Sequence, residues 1–298
     1  MYDTVLIPTD GSDHSVRAAE HGHSLAQLFD ATVHVINVVD LQGAGGMFDA
    51  GGIDQSINDQ LIAEGETAIE AVEAVVGERD SVTTTVVKGE PSETILEYAD
   101  DHDVDVITMG THGRTGLNRY IAGSVTERVV RLADVPVLTV RATDQSQLVG
   151  EYDEVLIPTD GSEPAAMAID HGLAIAQKTG ARIHAVNIVD VGDVAASPNY
   201  TPPTEVIEHL ESEGEAATDR IATQARARGL DAITEVREGF PASDLLDYAD
   251  EHDIDLITMG TTGRTGLNRY LLGSTTERII RHAEIPVLAV NAREQERN

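Results

Sequence analysis

Cysteine and tryptophan are absent from this 298-residue chain, phenylalanine occurs three times, and Lys88 and Lys178 are its only lysines. Without Cys there is no disulfide, no thiol nucleophile and no thiolate metal site, although the compartment is hardly constrained by that. Lys and Arg together number 20 against 52 Asp and Glu, for a net charge of −32. No basic stripe exists to neutralise a phosphate backbone, which argues against nucleic acid as a partner. No leader-like segment and no apolar run of about 18 residues is present, so the expectation is a cytoplasmic protein with no membrane contact. A disordered acidic chain is at odds with the strong strand and helix periodicities. An acidic surface for a basic partner is one remaining explanation. Lysine depletion beside excess Asp and Glu favours another, solubility in concentrated salt. At molar salt the Debye length is only about 3 Å, so the global charge need not repel an anionic ligand.

Two copies of one domain account for what is there. VLIPTDGS stands at Val5–Ser12 and again at Val155–Ser162, and GRTGLNRY at Gly113–Tyr120 and Gly263–Tyr270. ITMGT, GS-x-TER and PVL recur in the same order, about 150 positions apart, so whole domains are repeated rather than a solenoid unit. Between Val104–Val140 and Ile254–Val290 roughly two thirds of positions are identical. Each half is long enough for a core of its own. Polar Arg141–Glu151 reads as the join, giving domains at 1–142 and 152–292 with a linker at 143–151.

In the first half, Tyr2–Asp10 reads as a strand ending in a Gly11-Ser12 turn, and a helical pattern runs from about Ser15 to Phe29. In the second half Ser162 and Pro164 mark that helix as N-cap and N1 residues. Ala31–Asp40 is a β-branched, apolar strand. Leu41–Ile53 is a glycine-rich loop, and Asp54–Val76 a helix with Ile57, Leu61, Ala68, Val72 and Val75 on one stripe. A strand at Ser81–Lys88 precedes a short helix opened by Gly89-Glu90-Pro91 and ending at Asp101. The strand Val104–Met109, a helix at about Ser124–Ala133 and the strand Val135–Val140 complete the half. Strands apolar on both faces, alternating with helices, predict an α/β domain with a parallel sheet covered by helices. Such sheets bind ligands beyond the carboxyl ends of strands where the order reverses. The halves differ most in two loops: Leu41–Ile53 is glycine-rich, whereas Val191–Thr204 carries Pro198, Pro202 and Pro203, which predicts unequal ligand exchange.

Directly after the fourth strand of each half comes G-x2-G-x9-G-S: Gly110, Gly113, Gly123 and Ser124, then Gly260, Gly263, Gly273 and Ser274. Strand, glycine loop and helix N-terminus together offer backbone N–H groups to a phosphate. With a first strand ending in Pro-Thr-Asp and a second ending in VVD or IVD, the pattern resembles the universal stress protein family, here as a tandem, two-domain member. The resemblance covers essentially all of both halves. It implies, in each domain, a Rossmann-like fold of the adenine nucleotide alpha hydrolase type. The sheet is five-stranded and parallel, in strand order 3-2-1-4-5, with ATP at the ends of the first and fourth strands. It also implies pairing through the last strand, Val135–Val140 or Ile285–Val290. An intrachain pseudo-dimer is the expectation, with a homodimer of chains as a further possibility.

Gly110, Gly113 and Gly123 would let the backbone approach phosphates; alternatively they serve as turns and close helix–sheet contacts. Ser124 and Ser274 would donate to a phosphate, yet each also fits a capping box with Glu127 or Glu277. Asp10 and Asp160 would be repelled by a triphosphate, and the resemblance puts them at the adenine or ribose side; the other explanation is an Asp-Gly-Ser turn. Val38 and Ile188 resemble the position whose backbone reads the adenine edge, with side chains in the core. Arg114 and Arg264 either pair with phosphate or are ordinary loop arginines. The neighbours Pro8, Thr9, Met109 and Val125, with Pro158, Thr159, Met259 and Thr275, complete the candidate sites.

There is no G-x4-G-K-[ST], so this is not a P-loop NTPase, and the histidines show no ligand spacing joined to carboxylates. Between Gly110 and Ser124 no Asp or Glu is available to hold Mg²⁺ or activate water. A Mg²⁺ ion arriving with the nucleotide would lean on the phosphates, a Ser or Thr hydroxyl and water. The expectation is an ATP-binding stress-response module without efficient turnover; the alternative is a slow ATPase or phosphotransferase using the same sites.

Overall fold

The computed structural model describes residues 1–41, 55–76, 82–111, 113, 124–148, 152–190, 204–263 and 272–291. They form two compact units, Met1–Leu148 and Val149–Asn298. Most of Leu41–Ile53 and of Val191–Thr204, with Arg114, Gly123 and Arg264, lies outside the described residues.

The first unit runs β1 (Thr4–Pro8), α1 (Asp13–Phe29), β2 (Thr32–Val39), α2 (Gln55–Val76), β3 (Val82–Lys88), α3 (Pro91–Asp101), β4 (Val106–Gly110), α4 (Ser124–Leu132) and β5 (Val137–Val140). The second repeats it as β6 (Glu154–Pro158), α5 (Glu163–Thr179), β7 (Arg182–Asp190), α6 (Thr204–Ala227), β8 (Ala232–Gly239), α7 (Pro241–Glu251), β9 (Leu256–Gly260), α8 (Ser274–His282) and β10 (Val287–Val290).

Each unit carries the expected order, β3-β2-β1-β4-β5 in the first and β8-β7-β6-β9-β10 in the second, with parallel neighbours. β1 lies against β2 in the register Thr4↔Thr32 to Pro8↔Ile36, and against β4 through Val5↔Val106 and Leu6↔Ile107. Val5, Leu6 and Ile7, like Val155, Leu156 and Ile157, are wholly buried because helices cover both faces. A single carboxylate fixes the start of each central strand. Asp105 Oδ2 accepts from the N–H of Asp3 and Thr4, at 2.7 and 3.0 Å, and Asp255 Oδ2 from Asp153 and Glu154, at 2.9 Å each.

Helix starts differ slightly from expectation. α1 begins at Asp13 rather than Ser15, because the Ser12 hydroxyl caps it by accepting from Ser15 N–H. Ser162 caps α5 in the same way, which makes Glu163 the first helical residue and puts Pro164 second rather than first.

Ser146, within the stretch expected to be a linker, is buried, and its carbonyl accepts from His21 Nε2 at 2.9 Å. Burial pushes the His21 pKa down from 6.5 to about 4, the Ser146 bond opposing and the Arg17 charge assisting. The folded value is the lower one, so this contribution is fully present above about pH 6.5 and is lost as pH falls towards 4. Between pH 7 and pH 5 at constant salt, the native chain is expected to lose about 2 kcal/mol more unfolding free energy than His21→Gln does. Denaturant titrations of both proteins at the two pH values measure the difference.

Candidate functional site

The carboxyl end of β1 is shaped by short-range polar bonds. Asp10 Oδ1 accepts from Ser12 N–H at 3.1 Å and from its hydroxyl at 2.6 Å, and Thr9 Oγ1 accepts from Gly11 N–H at 3.1 Å. Gly11 turns the chain at φ +73°, and Gly161 at +78°, in the left-handed region that glycine enters without strain. The second unit repeats the bonds, Ser162 N–H to Asp160 Oδ1 at 2.9 Å and Gly161 N–H to Thr159 Oγ1 at 3.1 Å. The Asp-Gly-Ser turn therefore exists, and it occupies one carboxylate oxygen. The other faces the glycine loop: a Cβ on Gly113 would come 2.6 Å from Asp10 Oδ2, and one on Gly263 2.7 Å from Asp160 Oδ2.

At the end of β4 a Cβ on Gly110 would lie 2.7 Å from the carbonyl carbon of His14, and one on Gly260 2.5 Å from the Pro164 carbonyl oxygen. The strand end thus presses on the first turn of α1 or α5. Burial, aided by Arg141, keeps the His14 pKa below its ordinary value, and the neutral ring accepts from Ala142 N–H at 2.9 Å through Nδ1. The helix after the glycine loop is tied to the same strand end, Thr126 Oγ1 donating to the Gly110 carbonyl at 2.7 Å and Thr276 Oγ1 to that of Gly260 at 2.9 Å. Its first N–H groups lack intrahelical acceptors. The capping box does not form in the second unit. Gly273 is the N-cap, Ser274 the first helical residue, and the Glu277 carboxylate pairs with Arg281 at 2.6 Å. Ser124 likewise opens α4, its side chain lying outside the described residues.

These elements enclose a cavity of about 380 Å³ in the first unit. Of the residues expected there, Pro8, Thr9 and Asp10 line it from β1, Val38 from β2, Met109, Gly110 and Gly113 from the β4 side, and Val125 from α4. Pro158, Thr159, Asp160, Ile188, Met259, Gly260, Gly263 and Thr275 occupy the matching positions of the second unit. The side chains of Val38 and Ile188 are half-buried, not core as expected, because they point beyond the end of the central strand. The cavity is more acidic than the motif alone suggests, with Asp40 and Glu64 joining Asp10.

Asn37 was missed by sequence reasoning. It is buried, lines the cavity, and donates from Nδ2 to the Thr9 carbonyl at 2.8 Å; Asn187 does the same to Thr159 at 2.7 Å. Helix α2 reaches it only through Gly65, where a Cβ would meet Asn37 Oδ1 at 2.4 Å, and α6 meets Asn187 through Gly214 at the same distance. A signal existed: an Asn inside an apolar strand and a Gly inside a helix each oppose local propensity, and both recur in the second half.

The first unit's cavity lies at the switch point of a 3-2-1-4-5 parallel sheet, beside Gly110, Gly113 and a helix start. That is where α/β domains place small-molecule sites, and the same α/β domain is present twice. The universal stress protein family matches residues 1–141 and 151–291, and the chain belongs to that family as a tandem member. A universal stress protein of Methanocaldococcus jannaschii is 39% identical over 145 residues, 49% of this chain and 85% of that one. One from Mycolicibacterium smegmatis is 27% identical over 296 residues, 97% of each chain. The crystal structure of a universal stress protein from Archaeoglobus fulgidus superposes with a TM-score of 0.70 over 98% of this chain and 99% of the other, at 22% identity, a likeness of fold.

The two glycines do different work. Gly110→Ala sets a Cβ against backbone and should cost about 1–3 kcal/mol of stability. Gly113→Ala displaces only a carboxylate and should stay within about 0.5 kcal/mol. Chemical denaturation of the two variants decides it.

Proposed function

We propose that each unit binds ATP, without efficient turnover, and that occupancy biases the conformation or assembly of a stress-response protein. The cavity carries this reading, because its walls differ in chemistry along its length. At about 380 Å³ it falls within the range of small-molecule sites, roughly 300–1,000 Å³. The N–H groups at the start of α4, which have no intrahelical acceptor, suit phosphates. Asp10 accepts hydrogen bonds and repels phosphate, so its carboxylate suits ribose hydroxyls, with Gly113 leaving room beside it. The backbone of Val38 and the apolar side chains of Ile36 and Met109 suit the adenine ring. Gly123, Ser124 and Arg114, with Gly273, Ser274 and Arg264, complete the phosphate side in the same proposal. A Mg²⁺ ion would be held through the phosphates, a hydroxyl and water.

The setting proposed is the cytoplasm of a salt-adapted cell. Among the described residues no helix is long and apolar enough to cross a membrane. Pairing of the two domains through their last strands belongs to the same proposal, and light scattering at high salt showing independently tumbling domains would refute it.

Purified protein, held at high salt and then denatured, should release about two equivalents of ATP per chain, identified by chromatography and mass spectrometry. Release of ADP alone would favour the slow ATPase. If the protein is empty, titration with ATP should show saturable binding that Gly113→Ala and Gly263→Ala each halve in stoichiometry; no binding would refute the proposal.

A further inference from the structure

The two units diverge where the second turn of α4 or α8 meets the first turn of α3 or α7. Arg128 in α4 is held by Glu93 Oε1 at 2.7 Å and by Glu90 Oε2 at 3.5 Å. Glu90 is itself anchored, accepting from Ser92 Oγ and from Glu93 N–H, each at 2.8 Å. In the second unit the matching arginine, Arg278, is exposed and makes no ion pair among the described residues. The matching acids are gone. Phe240 replaces Glu90 and stands 61% exposed, and Ser243 replaces Glu93.

This difference lies on the rim of the proposed site. In the first unit Pro91 and Ile95 of α3, with Val125 and Thr126 of α4, line the cavity that the Arg128 pair overlooks. Helical side chains lean towards the N-terminus, and Arg278 stands one turn, about 6 Å, beyond Ser274. An arginine there can reach an anion at the helix start. Arg128 is neutralised by two carboxylates whose charge also opposes an approaching phosphate. Arg278 has neither restraint: a serine replaces the nearer acid, Glu93, and an aromatic ring the farther one, Glu90.

Resting on the ATP-binding proposal above, we infer that Arg278 is a phosphate-binding arginine of the second site alone. The second unit thereby takes a nucleoside triphosphate more tightly than the first and discriminates more strongly against the diphosphate. The sites share one glycine pattern and differ in the charge at the end of the phosphate chain.

Calorimetric titration of the full chain with ATP and with ADP, at one fixed high salt concentration, tests this. The native chain should show two classes of ATP site about fivefold apart, and ADP classes closer together. Arg278→Gln should bring the tighter class down to the weaker one. So should the double change Phe240→Glu, Ser243→Glu, which restores the first unit's pairing, whereas Arg128→Gln should not weaken either class. ATP binding with both classes unaltered by Arg278→Gln and by the double change would overturn the inference and leave the ATP proposal standing. No ATP binding by the native chain would overturn both.

Discussion

Strand β1 is hydrogen-bonded on one edge to β2 and on the other to β4, and it is shorter than either neighbour's reach. Pro8 lies level with Ile36, so Asn37, Val38 and Val39 run on past the end of β1. On the other side β4 continues to Gly110. A central parallel strand that stops early between two that continue leaves a notch at the carboxyl edge of the sheet. The turn into α1, Gly113 and the start of α4 are among its walls. Every part of the site depends on that termination, and the second unit repeats it with β6 between β7 and β9.

Keeping the notch open requires polar groups to be satisfied where β1 stops. The Thr9 N–H still reaches the Ile36 carbonyl at 2.8 Å, but its own carbonyl has left the ladder. Asn37 supplies the missing donor. An unsatisfied buried carbonyl would cost about 1–3 kcal/mol, which explains a polar residue in an otherwise apolar strand. Its presence then dictates the glycine in α2, since any side chain at Gly65 would collide with the amide oxygen. Strand end, amide and helix are one mechanical unit.

The proposed anion site, in a chain of net charge −32, would pose an electrostatic problem that backbone can answer. The first cavity holds the carboxylates of Asp10, Asp40 and Glu64. Positive potential is available at the N–H groups of a helix start, which have no intrahelical acceptor, do not titrate and act at contact distance. Side-chain cations are scarce, and several of the described ones are spent elsewhere: Arg17, Arg182, Arg228 and Arg237 are all paired with acids. One arginine left out of such a pair at a helix start therefore carries unusual weight.

The repeat, the alternation of strand and helix and the glycine spacing are local properties, and they determined the fold class, the domain count and part of the cavity wall. Asp10 and Gly110 were legible because turn chemistry and close approach leave marks at fixed spacing, and Pro8, Thr9 and Met109 followed as their neighbours in the strand ends. Tertiary structure decided what spacing cannot carry. Asn37 and Gly65 are 28 positions apart, and only packing of α2 onto β2 makes each the reason for the other. Whether Ser274 caps a helix or begins it turned on where Gly273 placed the chain, because a capping box and a phosphate-binding helix start share one sequence. Whether Arg128 and Arg278 are equivalent was invisible within α4 and α8, whose sequences nearly agree. The difference in their ion pairing lies in two positions at the start of a different helix, since charge is neutralised by neighbours in space.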